Sequence, residues 1–516
     1  MQRGLMLIKP CIAAIVVLFF VSPAISQREA NVWYFGNHAG FDFNNGDPIP
    51  LDNGALETRG VSAVANHPKT GALLFYTDAE NVWDREHRIM PNGTDLLGGG
   101  ATQSALIVPV PRADGSFYLF TLCRDASSFH ANLYYHVIDM ELNNGLGDVA
   151  ETRKNRFLLT NLTGKLTAVP HSNGRDFWLI THEYGTDVFY ISLINEDGLS
   201  SFNAQAIGPR HYPVDSSNRD VWDFFDFGRG YLKFSPDGKR LASAINATRF
   251  DQGLNLFDFD AESGLISNYR SLDIEGGRSF GLSFSSDNTK LYVSTSTSGD
   301  VLLDAIVQYD LGYETVEEIN NSRIGLFTGN PFDNIDFDGQ RGGSANFALQ
   351  LGPDGRIYSG DNWVAGLREK NHDLVVINQP NEKGFDASPR LVRFAFNKAE
   401  AGPLLPNFIE STFNGLSPRD NPNVPCEVFD NFSIFPNPTN RLIQVDVAEE
   451  CFSPYRLEIY NAQGIMMNKA IVTNPMSDEI DLGRLADGLY LIILEPLAPN
   501  DGPRFPRRVI QKIIKV

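Results

Sequence analysis

Two stretches of this 516-residue chain gather side chains that could do chemistry. Asp42, Asn44, Asp47 and Asp52 place four oxygen donors in a loop containing Gly and Pro, the donor type that calcium takes. Their spacing departs from D-x-[DN]-x-[DN]-G, so a solvated turn is the simpler expectation, and calcium is the one cofactor the residues suggest. Farther along, Trp222, Asp223, Phe224 and Asp226 lie within "DVWDFFDFGRGY". Aromatic faces flanked by carboxylates suit stacking on a sugar ring, while a strand core with acidic edges accounts for the same residues. The chain has no G-x-S-x-G elbow, no H-E-x-x-H helix and no glycine loop cradling phosphate ahead of a helix. His182-Glu183 lacks the second histidine of a zinc helix. No catalytic residue is assigned on this basis. Carboxylate pairs of the glycosidase kind are set by distance in space rather than along the chain. A glycan-active enzyme with acids at the mouth of a central channel therefore stays open beside a binding module.

The elements that must carry these residues are repeated. A short apolar strand, a tight turn and a second apolar strand recur in "VANHPKTGALLFYTD", "LIVPVPRADGSFYLFT", "LTAVPHSNGRDFWLIT", "LKFSPDGKRLASA", "LSFSSDNTKLYVSTS" and "LQLGPDGRIYSGD". The turns fall at Gly71, Gly115, Gly174, Gly238, Asn288 and Gly355, on average about 57 residues apart. Gly and Asn tolerate the left-handed backbone that hairpin turns need. Alternation in "KRLASA" and "TKLYVS" marks strands with one face buried. "LYYHVIDMEL", "GLNLFDFDAESG" and "DAIVQYDLG" add a third strand to several units. One such sheet cannot bury both faces, so neighbours must stack, and a ring of sheets around an axis meets that need. The expected fold is all-β: a six- to seven-bladed β-propeller over residues 27–415, its last blade closed by residues 31–43 and 405–413. An array of sandwiches also suits hairpins at this spacing.

The ends speak to compartment. Arg3 and Lys9 precede an apolar run from Cys11 to Val21, and Ala24 and Ser26 stand at −3 and −1 before Gln27. That is a secretory signal peptide over residues 1–26, too short for a bilayer, which takes about 20 apolar residues. No transmembrane segment is expected in the mature chain. In an oxidising compartment Cys426 and Cys451 could pair, with Cys123 left over. The formal charge of −20 falls almost wholly on residues 27–415. It repels phosphate backbones, so no nucleic-acid partner is expected, and a glycan or protein ligand is.

Residues 416–431, rich in Pro, Asn and Asp, read as a linker. Residues 432–516 return to short strands, with turns at Pro436-Asn437-Pro438, Asn461-Ala462-Gln463-Gly464 and Asp487-Gly488. That layout suits a small Ig-like antiparallel β-sandwich.

Three resemblances follow from these motifs. "FSPDGKRLASA" and "LGPDGRIYSG" resemble the TolB-like and WD-type propeller repeat. "WYFGNHAGFDF", "GALLFYTDAENVWDREHRIMPNG" and "TQSALIVPVP" resemble large secreted proteins of Bacteroidetes-type bacteria that join a propeller to a sorting domain. "FPNPTN", "LEIYNAQG", "IDLGRLADGLYLIIL" and the terminal "QKIIKV" resemble the type A sorting domain of type IX secretion cargo. The resemblance carries over to Pro436, Asn437, Pro438, Tyr460, Asn461, Gly464, Gly488, Tyr490, Lys512 and Lys515. It implies recognition by outer-membrane secretion machinery, removal of the domain, and a protein left on the cell surface or released. The insert "PLAPNDGPRFPRR" departs from the pattern and puts the pairing of the last strand in question.

Overall fold

A computed structural model describes residues 28–58, 60–124, 130–211, 228–246, 253–274, 278–296, 304–328, 347–360, 373–418, 432–435, 438–447, 455–472, 479–496 and 509–515. The signal peptide, Cys426 and Cys451 lie outside them. Cys123 is half-buried at the end of a strand.

Antiparallel sheets follow one another along the chain. The first is β1 (Val32–Phe35), β2 (Ala39–Asp42) and β3 (Ile49–Leu51), and the second is β4 (Ala63–Asn66), β5 (Leu73–Thr77) and β6 (Val82–Asp84). A nine-stranded sheet comes next. Its first half is β7 (Ala105–Pro109), β8 (Ser116–Cys123), β9 (Ala131–Asp139) and β10 (Asp148–Val149). Its second half is β11 (Arg156–Pro170), β12 (Phe177–Glu183), β13 (Val188–Asn195), β14 (Gly198–Leu199) and β15 (Asn203–Ala206). The halves join because the long β11 pairs first with β9 and then, past a bulge, with β12.

Three four-stranded meanders complete the series. They are β16 (Leu232–Phe234), β17 (Arg240–Ala244), β18 (Leu254–Asp260) and β19 (Leu265–Leu272); then β20 (Arg278–Phe284), β21 (Lys290–Ser296), β22 (Asp304–Asp310) and β23 (Ile324–Thr328); then β24 (Leu349–Leu351), β25 (Ile357–Ser359), β26 (Asp373–Ile377) and β27 (Pro389–Arg393). One short helix, α1 (Val316–Asn321), leads into β23 behind a capping box of Thr315 and Glu318.

The first strands of successive sheets, counting the two halves of the nine-stranded sheet separately, lie side by side: β1 on β4, β4 on β7, β7 on β11, β11 on β16, β16 on β20 and β20 on β24. That is a propeller arrangement, with first strands innermost. Aromatic rings seal the first sheet to the last, Trp33 against Tyr358 at 5.8 Å and Phe41 against Phe394 at 4.6 Å between centroids. The backbones of Asn37 and Glu400 exchange hydrogen bonds at 2.8 Å in both directions.

The repeated turns explain the meanders. Ser235 Oγ donates to Asp237 Oδ1 and Ser285 Oγ to Asp287 Oδ1, both at 2.6 Å, so each turn is tied before its second strand begins. Gly238, Asn288 and Gly355 hold positive φ at 72°, 67° and 80°, where a branched side chain would be strained. Arg240 Nη1 donates to the carbonyl of Asn288 at 3.0 Å, linking one sheet's turn to the next.

The expected closing strand at 405–413 is not one. Residues 404–409 belong to no strand and pass into a 3-10 turn, Glu410–Phe413, because Asn407 and Glu410 bond to inner strands rather than to an outer sheet. Closure near β1 comes instead from Glu400.

A second group of sheets is built from β28 (Phe432–Phe435), β29 (Leu442–Val447), β30 (Tyr455–Asn461), β31 (Met466–Val472), β32 (Glu479–Asp481), β33 (Gly488–Pro496) and β34 (Val509–Lys515). One sheet runs β28-β29-β32 and the other β31-β30-β33-β34. Ile443 and Ile480 from the first meet Leu457, Ile459, Tyr490, Ile492 and Ile513 from the second in a closed core, as in a sandwich. The insert leaves the register of β33 and β34 unbroken from Gly488↔Lys515 to Leu494↔Val509.

Candidate functional site

The axis is the most elaborated polar site among the described residues. The segment entering it passes two glycines at contact distance: a Cβ on Gly36 would lie 2.3 Å from the Glu400 carbonyl, and one on Gly360 1.9 Å from that of Pro403. Side chains there are excluded by backbone. Asn407 then reaches two inner strands and the residue just ahead of a third. Its N–H donates to Ser62 O at 2.9 Å, and its Nδ2 donates to Ala105 O at 3.1 Å and Leu166 O at 3.2 Å. Its Oδ1 accepts from Gln103 Nε2 at 3.2 Å. One turn on, Glu410 Oε1 lies 2.7 Å from Lys233 Nζ of β16 and accepts from Gln350 Nε2 of β24 at 3.2 Å. Burial drives Lys233 below the ordinary lysine range, against the opposing pull of Glu410. The segment leaves at the turn side, where Gly415 N donates to Ser286 O at 2.8 Å. The chain thus threads its own axis, bonded along the way to inner strands of several sheets.

A second buried cluster lies between β11, β12 and the residues after β15. Lys165 Nζ is 3.2 Å from His211 Nδ1, and the rings of His182 and His211 stack at 3.7 Å. All three are sealed from solvent. Desolvation pulls Lys165 down to about 7, and desolvation first and neighbouring bases second hold both histidines well below the usual range. The sign is that of a buried base. The unfolded lysine stays protonated up to its ordinary value near 10.4, so stability climbs as pH rises from about 7 through that window and the penalty is full below it. Lys165→Met is expected to raise stability at pH 7 by about 1–3 kcal/mol and to flatten that slope, read by urea unfolding at pH 7 and pH 9.

The residues picked out by spacing fare differently. Asp42 accepts from the N–H and side chain of Asn44, at 2.8 and 2.9 Å, in a local turn. Asp47 faces Arg356 at 3.2 Å, and Asp52 takes two donors from Asn397. The three carboxylates are separately engaged, and among the described residues no three His, Cys, Asp or Glu come together as metal ligands. Trp222, Asp223, Phe224 and Asp226 lie outside the described residues. His182-Glu183 splits, with His182 buried in the cluster above and Glu183 accepting from Tyr190 and Thr186.

In the last domain the motif residues are mostly turn-makers. Asn461 Oδ1 accepts from the N–H groups of Gln463 and Ile465 at 3.1 and 2.9 Å, and Gly464 takes φ of 76°, closing the β30–β31 hairpin. Tyr460 donates to Glu458 at 2.8 Å. Tyr490 is buried and donates its hydroxyl to Ala486 O at 2.7 Å, pinning the corner ahead of Gly488. Lys515 is buried against Asp487 at 2.8 Å, and Lys512 is half-buried on the same strand. Thr439, just after Pro438, donates its N–H to Ile514 O, so the first turn is tied to the last strand. Pro436 and Asn437 lie outside the described residues. Leu489 and Ile514 form a cross-strand pair left exposed on the outer face of this sheet.

Lys233, Gln350, Asn407 and Glu410 were not singled out by spacing. The signal available was a polar residue at the centre of successive inner strands, Leu232-Lys233-Phe234, Leu282-Ser283-Phe284 and Leu349-Gln350-Leu351.

Residues 433–497 match the family described as the secretion system C-terminal sorting domain. The last domain is that of type IX secretion cargo, which marks the chain for export. No curated protein matches the chain. Similar solved structures include a Bacteroides fragilis protein described as a 6-phosphogluconolactonase, 12% identical over 74% of this chain and 99% of that one, with a TM-score of 0.41. The β-propeller domain of Myceliophteria thermophila Cps50 (Swd1) is 11% identical over 56% of this chain and 85% of its own, at 0.29. Kluyveromyces lactis Hsv2 is 7% identical over 74% and 97%, at 0.34.

Proposed function

We propose that this protein is a surface-delivered binding module, a propeller scaffold that engages a glycan or protein ligand outside the cell after its C-terminal domain has taken it there. The observation that carries this reading is the threaded axis. The acid that reaches the channel, Glu410, is held by Lys233 and Gln350 and is 2% exposed, so ligands meet the ends of the ring rather than its bore. A propeller closed in this way is a rigid platform, and binding on such scaffolds falls to the loops that join the strands. Removal of residues 1–26, attachment to surface lipopolysaccharide or release, and contact with the outer-membrane machinery belong to the same proposal. No helix among the described residues is long and apolar enough to cross a membrane. The test applies the mature protein to glycan and protein arrays. Saturable binding that leaves the arrayed material intact supports the reading, and cleavage of an arrayed glycan would favour the enzyme instead.

A further inference from the structure

Lys233, Gln350 and Glu410 are 1%, 1% and 2% exposed, and their reactive atoms converge. Lys233 Nζ donates to Gln350 Oε1 at 2.6 Å, with Leu349 O at 3.0 Å and Glu410 Oε1 at 2.7 Å. Glu410 Oε1 is also 3.2 Å from Gln350 Nε2. A single carboxylate oxygen therefore touches both an amine and the nitrogen of a carboxamide whose carbonyl that amine already meets. We infer that Lys233 and Gln350 become joined by an intramolecular amide bond, with Glu410 carrying the proton.

The step balances with what the site holds. Lys233 Nζ lies 2.7 Å from Glu410 Oε1, so the amine can hand one proton to that oxygen and keep a free lone pair. The Nζ lone pair attacks Gln350 Cδ, and a C–N bond forms. The Cδ–Nε2 bond breaks, and Nε2 leaves as ammonia with the proton that Nζ gives up, passed through Glu410 Oε1. Amine and carboxamide become a secondary amide and ammonia, and no oxidant, cofactor or water is consumed. Rigid placement supplies the rate, since positioned groups react as though at very high concentration. The downward pull of burial on Lys233 acts in the same direction, by freeing its lone pair. The bond would tie β16 to β24 across 117 residues of chain and brace the ring at its axis, a constraint of the kind that covalent loop closure imposes on an unfolded chain.

The test is peptide mapping by mass spectrometry of the secreted protein, denatured and digested with trypsin. The expected result is a branched species joining the Lys233 and Gln350 peptides, lighter than their sum by one ammonia, with no cleavage after Lys233. Recovery of the two peptides separately, with normal cleavage at Lys233, overturns the inference, as does a species lighter by one water that joins Lys233 to Glu410. Glu410→Gln removes the proton carrier and is expected to restore separate peptides in the folded fraction. A branched species persisting in that variant overturns the assigned role of Glu410. If the variant does not fold, the wild-type digest decides alone.

Discussion

Truncation after residue 431 is expected to leave the protein in the periplasm, with none outside the cell, while the full chain is found outside. The physical ground is that the last domain carries its own core. Ile443, Leu457, Ile459, Ile480, Leu482, Tyr490, Ile492 and Ile513 pack together with no residue from before β28 among them. Among the described residues, removing the domain therefore takes no member from the propeller's own apolar clusters, and the remainder should still fold. The loss should be close to complete, because an address read by a receptor is present or absent rather than weakened. Immunoblots of periplasmic and external fractions check it, with a protease-protection control to show that the retained form is folded.

Asn407→Leu should destabilise the propeller by about 3 to 5 kcal/mol. Leucine keeps asparagine's branching and heavy-atom count, yet it leaves the carbonyls of Ala105 and Leu166 and the Nε2 of Gln103 short of a partner in a sealed site. Each buried group so stranded costs about 1–3 kcal/mol. Gln103 also bonds both Leu232 O and Leu232 N, at 3.1 and 2.8 Å, so the disturbance reaches β16. Asn414→Ala, at the exposed exit of the same segment, removes one bond from Asn288 and should cost under about 0.5 kcal/mol. Urea unfolding of both variants provides the comparison. A small loss for Asn407→Leu would mean that the axial segment is a passenger rather than a strut.

What could be read from the chain, and what could not, follows from range. The hairpins were legible because their determinants are local: Ser235 and Asp237, Ser285 and Asp287, and a Gly or Asn at the left-handed position all lie within a few residues. The turns of the last domain were legible for the same reason, with Asn461 and Gly464 three residues apart. The axis was not. "LPNFIESTF" alternates as a strand does, but what decides its conformation are partners on β7, β11, β16 and β24, distant in sequence, and the alternation cannot distinguish a sheet edge from a ring's centre. The carboxylates of the Asp42–Asp52 loop failed to gather for a related reason. Arg356 and Asn397, hundreds of residues away, draw Asp47 and Asp52 apart.

The division between address and cargo is tested most directly by fusing residues 416–516 to an unrelated periplasmic reporter carrying its own signal peptide. The reporter should then appear outside the cell in the organism that makes this protein. A reporter that stays periplasmic although the fused domain is folded would contradict the assignment of that domain as a self-sufficient address.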